Sequence, residues 1–251
     1  MSNLRRSLSI TVVLAILGGA ANAAQTDAPK PATPSSVKAE TVVGGLANPW
    51  GMQFLPDGRI LLTEKPGRLR IATKEGTIGP AIDGVPEVYA KGQGGLLDVL
   101  LAPDFGDKGG DIFVSFAQPR EGGAAATAVA RGRLVLDENG GGKLDNVTTI
   151  FQQQPAIAGS SNHFGSRLIW APDGSLFVTT GDRGDARDEV QKPKSLIGKV
   201  INLKPDGTAA QTDPAQTGWD AKIWSMGHRN IQGAAIDPAT GQLWTVEHGA
   251  R

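Results

Sequence analysis

Three histidines are available to this chain, so each can be weighed as a carrier of proton chemistry. Imidazole changes charge near neutral pH and serves as a general base when a loop holds it beside a reacting group. His163 sits in Gly159-Ser160-Ser161-Asn162-His163-Phe164-Gly165-Ser166-Arg167-Leu168, a small polar loop ahead of a strand-like run. A lone histidine is more often structural than catalytic, but a loop entering a core strand favours a functional role. His228 lies in Met226-Gly227-His228-Arg229-Asn230-Ile231-Gln232-Gly233, where a cation and an amide meet between glycines; Arg229 equally suits a solvated salt bridge. His248, between Glu247 and Gly249, ends the next strand. The acidic loop Asp182-Arg183-Gly184-Asp185-Ala186-Arg187-Asp188-Glu189 has the composition of a calcium loop. Its acids alternate with arginines and lack the EF-hand pattern, so it reads as a self-neutralised surface loop. No GxSxG, HExxH or phosphate-loop motif occurs. With no cysteine, thiolate metal sites and cysteine nucleophiles are excluded. These residues describe one His/Arg/Asn-lined end of a molecule and leave the reaction unnamed.

The elements that must position them repeat one phrase: an apolar run, a Pro-Asp or Asp-Pro turn, and a second apolar run. Trp50–Phe54, Leu55-Pro56-Asp57-Gly58 and Arg59–Glu64 form the first. Leu96–Leu101 with Pro103-Asp104, Arg167–Trp170 with Pro172-Asp173-Gly174, and Gly233–Ile236 with Asp237-Pro238 begin the other three. Proline presets φ, aspartate bonds its own backbone and glycine takes positive φ, so each phrase predicts a hairpin. Further turns at Lys74-Glu75-Gly76, Asp137–Gly140 and Lys204–Gly207 predict about four strands per unit. Four such units, roughly 50 to 70 residues apart, favour an all-β propeller over a β-sandwich. The histidine loops would then lie at related ends of their blades and face one central site. The spacing is made irregular by the loops 182–195 and 208–220, of the kind that carry binding function. The last phrase reaches Arg251 without a closing strand, so the expectation is an incomplete ring of about four blades.

Composition agrees with a globular chain: 251 residues, 39% hydrophobic, 25 basic against 25 acidic. That balance predicts neither a nucleic-acid groove nor a polybasic membrane surface. At the start, Arg5-Arg6, the apolar Leu8–Leu17 and Ala21-Asn22-Ala23 read as a cleavable signal peptide, 1–23. The apolar stretch is too short for a membrane span. A flexible Pro/Ala/Ser-rich lead-in, 24–38, precedes the propeller domain, 39–251, and the protein is expected in the periplasm or outside the cell.

Five ordered stretches carry a family resemblance: Leu46-Ala47-Asn48-Pro49-Trp50-Gly51, Gly92–Asp98, Asn162–Leu168, Gly227–Gly233 and Glu247–Arg251. Together they resemble the glucose/sorbosone dehydrogenase family, and within it the bacterial soluble aldose sugar dehydrogenases that use pyrroloquinoline quinone (PQQ). The resemblance implies a six-bladed β-propeller with quinone and calcium in a cleft. It implies oxidation of aldoses to lactones, with hydride passing to PQQ and electrons to an external acceptor. By position, His163 matches the catalytic base, Arg229 and Asn230 match quinone contacts, and Gln93 matches a substrate-pocket residue. Gly249 and Ala250 match main-chain calcium ligands. Asn162 departs from the glucose-oxidising branch, which carries an acid there, and favours the aldose branch. The family continues past Arg251 with an acidic calcium-binding segment and closing blades, so this chain alone is expected to have little activity. The competing functions are a non-catalytic sugar- or protein-binding propeller, and a calcium-dependent lactonase. The latter needs carboxylate metal ligands about the axis, for which the 182–189 loop is a poor substitute.

Overall fold

Each predicted hairpin exists, and together they build four antiparallel sheets. A computed structural model describes residues 33, 36–137, 140–211 and 217–249. The expected signal peptide and residues 24–32, 34 and 35 of the expected lead-in lie outside these residues, as does Ala250. The first sheet is β1 (Pro49–Phe54), β2 (Ile60–Glu64), β3 (Arg68–Ala72) and β4 (Ile78–Ala81), in that order. The second is β5 (Leu96–Leu101), β6 (Gly109–Pro119), β7 (Ala124–Leu136) and β8 (Gly142–Gln152), with β9 (Ile157–Ala158) added on β7. The third is β10 (Leu168–Trp170), β11 (Leu176–Thr179), β12 (Lys199–Leu203) and β13 (Ile223–Met226); β14 (Ile231–Ile236) and β15 (Leu243–Glu247) make the fourth. All of them belong to one unit, Val37–Gly249. Among the described residues no helix is long and apolar enough to cross a membrane.

The sheets are arranged radially. First strands of successive sheets lie side by side: β1 against β5, β5 against β10, β10 against β14. Cores fill the seams between sheets. Leu61, Leu69 and Ile71 of the first sheet pack with Leu96, Ile112 and Val114 of the second. Phe113, Val129 and Phe151 pack with Leu176, Val178 and Ile201 of the third; Phe177 and Val200 pack with Ile231 of the fourth. This is a β-propeller whose sheets do not close into a ring. Strands β2 and β11 are buried throughout, as continuous apolar runs require. In β15, by contrast, Trp244 and Val246 are 66% and 74% exposed.

One device recurs at every described seam. The hydroxyl of Thr63 accepts the Gly51 N–H of its own sheet at 2.8 Å and donates to Leu97 O of the next. Ser115 accepts from Asp98 N at 2.9 Å and donates to Ser166 O at 2.6 Å. Thr179 accepts from Arg167 N at 2.9 Å and donates to Ile231 O at 2.9 Å. Each buried hydroxyl thus satisfies two main-chain groups and stitches first strands together. Gly51 is required there: a Cβ would stand 2.8 Å from Asp98 Oδ1 and 2.9 Å from Leu97 O. Nearer the axis, Asp98 accepts from Arg167 Nη1 and Leu168 N, each at 2.8 Å. Arg167 also reaches Gln232 O at 3.0 Å and lies 4.5 Å from the centre of the Trp50 ring. All four first strands are joined through this pair.

Candidate functional site

The three links that enter the second, third and fourth sheets supply Gln93, His163 and Arg229. His163 is held on a backbone that few side chains adopt: its φ is +51°, followed by Gly165 at +64° and Ser166 at +86°. The facing loop after β11 does the same, with Arg183 at +59° and Gly184 at +74°. Non-glycine residues seldom take positive φ, histidine less seldom than most and arginine rarely, and such conformations persist where surrounding contacts over-determine them. Those contacts are present. His163 N–H donates to Gln93 Oε1 at 2.9 Å, and Gln93 N–H donates to Ser161 O at 2.8 Å. The imidazole is nearly enclosed, its side chain 12% exposed, and Nδ1 lies 2.6 Å from Asp182 Oδ1. The same oxygen accepts Gly184 N–H at 2.7 Å. An ionised carboxylate only accepts, so Nδ1 is assigned the proton and Nε2 the lone pair. That tautomer is the one a general base needs.

Asp182 also brings in the next link, since its N–H donates to Arg229 O at 2.7 Å. Between the two stands Gly181, where a Cβ would lie 2.0 Å from His163 O and 3.2 Å from Arg229 O. No other residue permits that approach. Arg229 Nη1 donates to His248 O at 3.0 Å, and Glu247 Oε1 accepts its main-chain N–H. No carboxylate among the described residues pairs with its guanidinium. Asn230 is buried to 1% exposure, and its Oδ1 accepts Gly165 N–H at 3.0 Å. Its amide oxygen therefore shapes the His163 loop. His228 bonds Ser225 Oγ through Nε2 and Glu247 Oε2 through Nδ1 at 3.1 Å; His248 Nε2 meets Gln232 Oε1 at 2.8 Å. Both anchor their strands. Gly249 is exposed.

The reading of 182–189 as a surface loop is corrected at its first two residues. Asp182 and Arg183 are buried; only the remainder, from Asp185 onward, lies near solvent. For calcium, no group of three or more histidines and acids gathers among the described residues, so Gly249 O is the one expected ligand within them.

The molecule is an open β-propeller whose link loops carry a carboxylate-bonded histidine and, in the next link, an arginine with no carboxylate partner among the described residues. A family model described as Glucose / Sorbosone dehydrogenase matches residues 46–251. The chain belongs to that family. It is 39% identical over 223 residues to the aldose sugar dehydrogenase YliI of Escherichia coli, covering 88% of this chain and 58% of that protein. A crystal structure of a glucose dehydrogenase is similar at TM-score 0.77 and 43% identity, covering 84% of this chain and 60% of the other. The PQQ-bound aldose sugar dehydrogenase of Streptomyces coelicolor is similar at TM-score 0.72 and 30% identity, covering 87% and 62%. The chain thus spans little more than half the length of such relatives.

Proposed function

We propose that the protein is a PQQ-dependent aldose sugar dehydrogenase, oxidising the anomeric carbon to a lactone and passing electrons to an external acceptor. The observation that carries this reading is the Nδ1 contact of His163 with Asp182 at 2.6 Å, which leaves Nε2 as a base on the loop end. His163 takes the proton of the anomeric hydroxyl at Nε2, and Asp182 steadies the imidazolium that results. The quinone, when bound, accepts the hydride and with it two electrons. Arg229 sets a positive charge against its anionic oxygens. Gln93 fixes the His163 main chain and borders the sugar. Asn230 holds Gly165 and so keeps the loop in register. Calcium, with Gly249 and Ala250 as main-chain ligands, belongs to this proposal through the resemblance, as does export by the 1–23 segment. The described sheets leave the ring open and the chain spans 60% of the similar glucose dehydrogenase, so the 251 residues alone are expected to turn over far more slowly than a propeller with a closed ring.

The test is sugar-dependent reduction of a redox dye by the full-length gene product after loading with PQQ and calcium. Dye reduction is expected, falling by about 10²- to 10⁴-fold in His163→Ala. A folded, loaded protein that binds sugar and reduces no dye would instead establish the non-catalytic reading.

A further inference from the structure

We propose that Arg183 is a positioning residue for His163: its buried guanidinium locks the left-handed histidine loop and so aims the imidazole at Asp182. The consequence for turnover rests on His163 being the base; the geometric claim does not.

Arg183 is 0% exposed, yet its guanidinium pairs with no carboxylate among the described residues. It donates instead to three main-chain carbonyls: from Nε to Asn162 O at 2.9 Å, from Nη2 to Ser160 O at 2.8 Å and from Nη1 to Ala125 O at 2.6 Å. Its charged plane lies over the ring of Phe164, 3.7 Å from the centroid. The residues on either side of His163 are therefore both gripped by one side chain, and β7 anchors the grip. Ser160 Oγ returns a hydrogen bond to Arg183 O. One residue in the left-handed region of each loop, His163 at +51° and Arg183 at +59°, is held in place by this reciprocal contact. Asp182 precedes Arg183 directly, so one turn delivers both the acid that fixes the tautomer and the clamp that fixes the loop.

Burying a cation without a paired anion is costly, and a structural plug of this size would be cheaper as an apolar side chain. Burial pulls Arg183 down to about 10, with Tyr89 and Asp182 acting in the opposite sense, so all its donors persist at neutral pH. Only a planar fork reaches three diverging carbonyls while stacking on a ring; lysine cannot.

Long-range ¹H–¹⁵N spectra of the histidine rings test this in the 251-residue protein. With three histidines, His163 is assigned by its loss in His163→Gln. The wild type is expected to show the Nδ1–H tautomer with a downfield, slowly exchanging proton. In Arg183→Met that proton should disappear and the tautomers mix, while His228 and His248 keep their spectra. A wild-type His163 pattern in folded Arg183→Met overturns the proposal. Should that variant not fold, Phe164→Leu keeps the three carbonyl bonds and removes only the stacked face. Broadening or doubling confined to His163 is then expected, and an unchanged signal overturns the proposal. In the loaded full-length enzyme, Arg183→Met should lower kcat about 10- to 100-fold with the sugar KM within about threefold. If the wild type reduces no dye, the dehydrogenase reading fails while the ring spectra still decide the positioning.

Discussion

The proposed chemistry depends on which imidazole nitrogen of His163 keeps its proton, and a single oxygen of Asp182 is the group that contacts Nδ1. Asp182→Asn retains the shape but can present its amide N–H to Nδ1, which favours the opposite tautomer. Dye-linked kcat in the full-length protein is expected to fall about 100-fold or more, with sugar KM little changed. A loss confined to KM would refute the assignment. His163 and Arg229 stood out in the sequence because each sits in a short polar link ahead of an apolar strand, while Gln93 was singled out only by the family resemblance. Asp182 and Arg183 did not stand out. Alternating acids and arginines have the look of a solvated loop, and burial is decided by what folds over them. The cue lay in Gly181 and Gly184, which bracket the pair directly after a buried strand; glycines so placed signal close backbone approach. Asn230 was legible as a site residue, but its oxygen faces Gly165, a partner 65 positions away that no local pattern discloses.

Among the strands, the Pro-Asp and Asp-Pro phrases marked the hairpins because turn chemistry is local. The seams are not local, and their hydroxyls resembled ordinary polar strand residues. Thr63, Ser115 and Thr179 occupy one register position, three residues beyond Ile60, Ile112 and Leu176, the partners of Phe54, Leu101 and Trp170. The same count from Leu243, the partner of Ile236, reaches Val246. The described seams therefore share a hydrogen-bonded stitch, and the fourth sheet presents a methyl-bearing side chain instead. Thr63→Val, Ser115→Ala and Thr179→Val each leave a buried N–H and carbonyl unsatisfied. Each is expected to cost about 1–3 kcal/mol in urea unfolding, whereas Val246→Thr should change stability by less than about 0.5 kcal/mol. Equal costs at all four positions would show that the stitch contributes nothing.

Across the molecule, the aspartates of the repeated turns behave alike. Asp57, Asp173, Asp206 and Asp237 each accept the main-chain N–H two residues on, at 2.9 Å. All four are held below the usual carboxylate value. For Asp57, slight burial acts upward and is outweighed by the Arg59 amide and guanidinium. The hydroxyl and amide of Ser175 lower Asp173, those of Thr208 lower Asp206, and the Thr240 hydroxyl with the Ala239 amide lowers Asp237. A depressed folded value means that the unfolded chain binds protons first as pH falls. Their stabilisation is complete above the unfolded value near 3.8 and is lost as pH drops through the folded values. Thermal melts should fall steeply below about pH 4, and a variant with all four changed to Asn should show a shallower acid limb. An unaltered limb would refute the assignment. Three of these turns, those of Asp57, Asp173 and Asp237, follow first strands, while that of Asp206 follows β12; Gln93, His163 and Arg229 precede the first strands β5, β10 and β14. Strands β10 and β14 therefore have an aspartate turn at one end and a proposed site residue at the other. Mutation can lengthen, shorten or recompose the turn end without touching a reacting group, and the link end can be tried against new substrates without loosening the hairpins. A lineage carrying this arrangement can vary its stability and its specificity independently.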